Sequence, residues 1–220
     1  MPLSPSQVAT LRTAIDSYAF PPAHFDYVVG APVLGLSMTD VESRIRRDLI
    51  SGHDVGIKKG LSNVLYWGFA QMGGLAAVRV DRFRTRVSQA QLAAAAVLLT
   101  APRPPLTEIA ALGLPQFSGV SFVSKVRMFL DPSGSATLDN QIMKIHVARP
   151  TTVLAAVRSR TTTIPVTAGN SAAYEAWCAR LEYIKRTYFL DTRVVDIERG
   201  LFHLVQTGQV EYAATLLVDA

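Results

Sequence analysis

GLPQFSGVSFVSKVRMFLDPSGSATLDNQI, residues 113–142, places Lys125 on one side of a DPSG turn and Asp139 on the other. The residues just before it, LTEIAALG (106–113), have the length and the glycine stop of a short helix. LPQFSGVS then makes a tight connection, and FVSKVRMFL (122–130) has the apolar content of the next helix. Two antiparallel helices joined by a glycine-containing hairpin leave backbone N–H groups open at the start of the second. Such a hairpin can hold a phosphate without touching a base. After the DPSG turn, ATLDNQIMKI puts Asp139 where the first turn of a further helix is expected, a position in which the helix dipole favours a carboxylate. Read one by one, Asp139 is an N-cap and Lys125 a solvated helix residue.

The rest of the chain reads as helices too. Ser4-Pro5-Ser6-Gln7 is a capping box with proline at the first helical position, opening a helix to about Tyr18. Thr39 is expected to cap a second, with Val41, Ile45 and Leu49 on one face and Gly52 as its stop. LSNVLYWGFAQM (61–72) and SQAQLAAAAVLL (88–99) read as buried helices, and a long amphipathic one is expected from Asn170 or Ser171 to about Tyr188. Asp196 caps IERGLFHLVQTG, which ends at Gly208, while 149–169 is rich in β-branched residues and reads as loop. Nothing repeats, and no alternation of strands with helices would build a parallel sheet. The expectation is all-α.

Composition bounds the function. With 49% hydrophobic and 18% charged residues over 220 positions, the chain can bury a substantial core and is not disordered. The longest apolar run, LAAAAVLL (92–99), is too short to span a bilayer, and MPLSPSQ lacks a basic-then-apolar leader, so a cytoplasmic protein is expected. Cys178 is the only cysteine, which excludes internal disulfides and cysteine-ligated zinc or iron–sulfur clusters. The four histidines show no ligand spacing, so neither a metal nor another cofactor is expected. A formal charge of +5 suits a polyanionic partner. Two basic segments stand out. GIKKGLSN (56–63) sets Lys58 and Lys59 in what reads as a glycine-flanked loop, and RVDRFRTR (79–86) carries Arg82 and Arg84 around Phe83. Each is either a solvated loop or a phosphate contact.

Taken together, the order hairpin, lysine, aspartate resembles the helix-hairpin-helix DNA glycosylases, in particular their 8-oxoguanine glycosylase-fold branch among bacteria. LPQFSGVS is similar to the family's Leu-Pro-x-x-Gly hairpin, with Ser121 where a second glycine is usual, and LDNQIMKI is similar to its aspartate segment. The likeness is strongest over 105–146 and continues more loosely through GIKKGLSNVLYWGF, YEAWCARL and DIERGLF. One departure is clear: in lyase-active members the lysine sits nearer the hairpin, where Val123 stands here. Two positions along a helix are roughly 200° of rotation. Lys144, five residues beyond Asp139, would face away from it on a shared helix.

The resemblance implies one all-α domain over 1–220, with two helical lobes around a central cleft and the hairpin motif at about 105–131. It implies excision of a modified or damaged base, an 8-oxoguanine-like purine, from double-stranded DNA by a monomer. Breaking an N-glycosidic bond builds positive charge on the sugar, and Asp139 is the carboxylate implied to stabilise it. A lysine that reaches C1′ from a desolvated site can displace the base and form a Schiff base, an AP-lyase step for which Lys125 is the candidate. Lys58, Lys59, Gly119, Ser121, Arg82 and Arg84 are the candidate DNA contacts. A flipped base needs aromatic or apolar walls, for which Trp67, Phe122, Trp177 and Phe202 are candidates. The alternative is a catalytically inactive helix-hairpin-helix protein that recognises modified or distorted DNA.

Overall fold

The computed structural model describes residues 2–219. Among them are eleven α-helices, one 3-10 turn (Val153–Ala156) and one two-stranded antiparallel hairpin, β1 (Phe25–Asp26) with β2 (Ala31–Pro32). The all-α expectation holds. No helix among these residues is long and apolar enough to cross a membrane. The chain divides into two compact units, one formed by Phe20–Asp131, the other by Met1–Ala19 together with Pro132–Ala220.

The continuous unit is built on α3 (Asp54–Gly68), which packs against α2 (Met38–Leu49), α4 (Leu75–Arg86), α5 (Gln89–Leu98) and α7 (Val120–Leu130); α6 (Leu106–Ala111) packs on α7. Ile57, Leu61, Val64 and Leu65 of α3 are fully buried, as are Val123, Val126 and Phe129 of α7. Each such side chain contributes about 1.5–3 kcal/mol through removal from water. Capping sets the starts: Ser37 and Ser88 each form a capping box, and the His53 ring nitrogen accepts the Gly56 amide at 3.2 Å to open α3.

Lys58 and Lys59 therefore lie inside α3 and not in a loop. The flanking glycines, which suggest a turn in the sequence, serve close packing: a Cβ at Gly60 would stand 2.9 Å from the backbone nitrogen of Leu49 on α2, and one at Gly56 would meet Ser51 in the connection ahead of α3. Likewise 79–86 is helix α4, because Phe83 and Val80 bury one face and leave the arginines on the others. The second helix is capped by Ser37, ahead of Thr39.

The other unit pairs α1 (Pro5–Asp16) with α10 (Val194–Gln206), and adds α8 (Met143–Ala148), α9 (Ala168–Tyr188) and α11 (Val210–Asp219). Gly200 lets α1 close onto α10, since a Cβ there would meet Ile15 at 2.7 Å and Leu11 at 2.9 Å. The capping box of α1 is the one that the sequence predicts, whereas α9 opens at Thr167, ahead of the expected start. Asp139 is not in the first turn of a helix, because α8 begins only at Met143.

Candidate functional site

The hairpin forms as its residues suggest. Helix α6 stops before Gly113 at φ 62°, and α7 opens after Gly119, whose extended backbone is the N-cap without a side-chain cap. The Phe122 and Val123 amides both donate to the Gly119 carbonyl at 3.2 Å, so only those of Val120 and Ser121 precede the first bond of the helix. Between the two, Gln116 holds a left-handed φ of 72°, an uncommon conformation for a residue with a Cβ. Its side chain is tied down, as the Arg79 guanidinium donates to Oε1 at 3.0 Å. Phe117 anchors the loop in the core, edge-on to Phe83 at 5.6 Å and to Phe122 at 6.2 Å. Gly119 and Ser121 remain half-exposed at the mouth of the hairpin.

Lys125 lies one turn further along α7 and is buried. Its ammonium donates to the Ser121 carbonyl at 3.3 Å and lies 5.4 Å from the Phe122 ring. Phe122 in turn packs on Phe69 at 4.7 Å. Gly68 makes the room, since a Cβ there would come within 2.6 Å of Phe122 and 3.3 Å of the Lys125 stem. Trp67 is buried between Phe20 at 4.9 Å and Phe129 at 5.1 Å. Of the basic candidates, Arg82 is exposed, whereas Arg84 lies over the Tyr27 ring at 4.2 Å and donates to Ser62 at 3.3 Å. Arg84 is thus partly committed to packing.

Asp139 belongs to the other unit and ends a buried irregular segment, Ser135 to Leu138. Two aromatic side chains of α9 hold that segment by its carbonyls. The Tyr174 hydroxyl donates to Ala136 at 2.9 Å and the Trp177 indole to Thr137 at 3.1 Å. The Asp139 carboxylate then accepts the amides of Gln141 at 3.0 Å and Ile142 at 3.3 Å, and its carbonyl accepts that of Met143 at 3.0 Å. Asp139 is half-buried, and its position is fixed from behind and from ahead. Trp177 has no exposed surface and its one donor is in use, so the residue is a support for the aspartate segment and not a wall of an open pocket.

Tyr18, which has no signal in the sequence, feels the charge of Asp139. Burial pushes the Tyr18 hydroxyl well above the usual phenol range; Glu198 and, to a lesser degree, Asp139 raise it further, while Arg199 opposes them. The Arg199 guanidinium lies 5.2 Å from the Tyr18 ring, and Phe202 meets that ring edge-on at 6.2 Å. Burial raises the Asp196 carboxyl, but the hydrogen bonds and charge of Arg193 outweigh it and hold the group below its usual range. Arg193 grips it at 2.9 and 2.8 Å, and Arg199 approaches it at 3.4 Å. Glu198, Arg199 and Phe202 share one stretch of α10, whose DIERGLF sequence carried the signal. Tyr18 follows the end of α1 and had none.

Among the candidates, then, Asp139 lies with Phe202 and Trp177 in one unit. Lys125, Phe122, Trp67, Gly119, Ser121, Lys58, Lys59, Arg82 and Arg84 belong to the other. Comparison of the chain with protein-family models, curated proteins and solved structures returns no match.

Proposed function

We propose that this chain is a DNA glycosylase that removes a modified or damaged base, an 8-oxoguanine-like purine, from duplex DNA, with Asp139 as its catalytic carboxylate. The observation that carries the reading is how Asp139 is held: two backbone amides take its carboxylate and two buried aromatics fix the chain ahead of it. A carboxylate positioned before the reaction costs no reorganisation as charge develops. In the proposed reaction the C1′–N9 bond breaks with its electron pair leaving on the base, which takes up a proton. The Asp139 carboxylate stabilises the positive sugar, and a water adds to C1′ and gives up its proton. Tyr18, which feels the Asp139 charge, packs on Phe202, and the two would offer aromatic surface to a base. The start of α7, with the half-exposed Gly119 and Ser121, suits a backbone phosphate.

The second reading, a binder of modified DNA without activity, draws on Lys125. Its ammonium already serves the Ser121 carbonyl of its own helix. Duplexes carrying single lesions separate the two readings. Asp139→Asn keeps an oxygen for the Gln141 and Ile142 amides, so it is expected to fold and bind DNA as the parent does. Base release is expected to fall on the order of 10²–10³-fold. Base release by Asp139→Asn at the parent's rate would overturn the assignment, and DNA binding by a parent chain that releases no base from any lesion would favour the binder.

A further inference from the structure

A pocket of about 160 Å³ lies in the continuous unit, lined by no residue of α6 or α7, and its chemistry is that of an anion site. Its lining includes His24, Asp26, Arg44, Arg47, Asp48 and Lys59. The sequence brings these together in a simple way. Arg44, Arg47 and Asp48 are spaced i, i+3, i+4 on α2 and so share one face. Lys59 comes from α3, which packs on that helix. His24 comes from the residue before β1, and Asn63 of α3 locks that strand by both accepting the Phe25 amide at 2.8 Å and donating to the Phe25 carbonyl at 3.2 Å.

Two observations point to a ligand. First, His24 is only 7% exposed, yet among the described residues neither of its ring nitrogens has a hydrogen-bond partner. A buried polar group left in that state costs about 1–3 kcal/mol, so such groups are as a rule satisfied by something. Second, no hydrogen bond or ion pair within the described residues engages the side chains of Arg44, Arg47 or Lys59. Of the two carboxylates in the lining, Asp26 accepts the turn amides of Val28 at 2.8 Å and Val29 at 3.2 Å. Asp48 faces all three cations and burial raises its carboxyl, while Asp26 also feels the charge of Lys59.

We infer that this pocket binds a phosphate group, with Arg44, Arg47 and Lys59 supplying charge and charge-assisted hydrogen bonds and the His24 ring donating to a phosphate oxygen. The site is independent of the base-excision reading and of Asp139. The phosphate is either a free one or a phosphodiester of a DNA strand, and both present the same oxygens.

The test uses the whole chain and inorganic phosphate, followed by NMR at the His24 ring protons. Saturable shifts of His24 are expected, with affinity at least about tenfold weaker in Arg47→Gln and in Lys59→Gln and unchanged in Lys144→Gln, whose side chain is exposed on α8. Asp48→Asn is expected to tighten binding several-fold, a gain that a merely structural role for Asp48 would not produce. Undamaged duplex DNA added to the phosphate-bound protein identifies the source: displacement marks a backbone phosphate, and coexistence marks a free one. No saturable shift at tens of millimolar phosphate, or equal binding by folded Arg47→Gln and Lys59→Gln, overturns the inference.

Discussion

Trp177 donates its indole N–H to the Thr137 carbonyl at 3.1 Å, two residues ahead of Asp139, and does so from a position with no exposed surface. The bond makes a core aromatic the mechanical support of the proposed catalytic carboxylate. Trp177→Phe removes the donor and leaves a buried carbonyl without it, which is expected to cost about 1–3 kcal/mol in chemical denaturation. Release of the base is expected to slow by on the order of tenfold or more, because misplacement of a reacting group weighs heavily on rate. DNA affinity should stay within about twofold. Tyr174→Phe, which frees the Ala136 carbonyl, should act in the same direction, and a variant pair with full activity would separate Asp139 from these supports.

Helix packing makes a second prediction, through glycines that look alike in the sequence. Gly200→Ala puts a methyl 2.7 Å from Ile15 and 2.9 Å from Leu11, and Gly60→Ala puts one 2.9 Å from the backbone nitrogen of Leu49. Overpacking of this kind costs about 1–3 kcal/mol, against a helix-propensity gain of about 1. Gly60→Ala is expected to be the worse of the two, because the Leu49 backbone cannot rotate away. Gly169, in the first turn of α9, meets only the Thr167 hydroxyl at 4.0 Å. Gly169→Ala should therefore stabilise the protein by up to about 1 kcal/mol. Thermal melts of the three variants check the ranking.

Acid should weaken the fold through His24. Burial, and after it the charges of Arg44 and Arg47, lower the ring to about 4, while Asp26 pulls the other way. An unfolded histidine titrates near 6.5, so between about pH 6.5 and 4 the unfolded chain binds more protons than the folded one. The stability that His24 contributes is therefore present above pH 6.5 and lost as pH falls toward 4. Full exclusion from water would make this about 3 kcal/mol, and solvent at the pocket mouth reduces it to on the order of 1–2 kcal/mol. Denaturant midpoints at pH 7 and pH 4.5 measure it against His24→Gln, in which the fall should be smaller. An equal fall in both would assign the acid lability to the carboxylates.

What the sequence shows well is local. The α1 capping box needs only Ser4, Pro5 and Gln7, and the observed cap uses those residues. The hairpin ends are marked by Gly113 and Gly119, both at helix boundaries. The failures share a cause in distant partners. Asp139 takes the Gln141 and Ile142 amides as a cap does, but α8 starts only at Met143, and Tyr174 and Trp177, from 38 residues beyond Ala136 and 40 beyond Thr137, hold the irregular segment ahead of it. Lys58 and Lys59 look like a loop because glycines flank them, and only the approach of Leu49 to Gly60 and of Ser51 to Gly56 shows what those glycines do. Tyr18 carries no local signal of any kind; its surroundings come from α10, far along the chain. The left-handed Gln116 is likewise held by Arg79, on another helix.

Lys125 supplies the last prediction. It is buried, and its ammonium is tied to the Ser121 carbonyl at the start of its own helix. In a reaction with associated lyase chemistry an unprotonated lysine amine adds to C1′, the base leaves, and the resulting imine is reducible. Borohydride in the presence of cognate damaged duplex should then trap a covalent protein–DNA complex, and Lys125→Gln should abolish the trap. Because Lys125 is buried, the variant must first be shown to melt cooperatively and to bind the duplex. Lys125→Arg keeps a cation near Phe122 but offers no nucleophile, so it should bind yet fail to trap. Trapping that survives both variants moves the nucleophile to another amine. A parent chain that releases base but never traps uses water as its attacking group. In that case Lys125→Gln should change stability more than turnover, as expected of a cation that braces the start of α7.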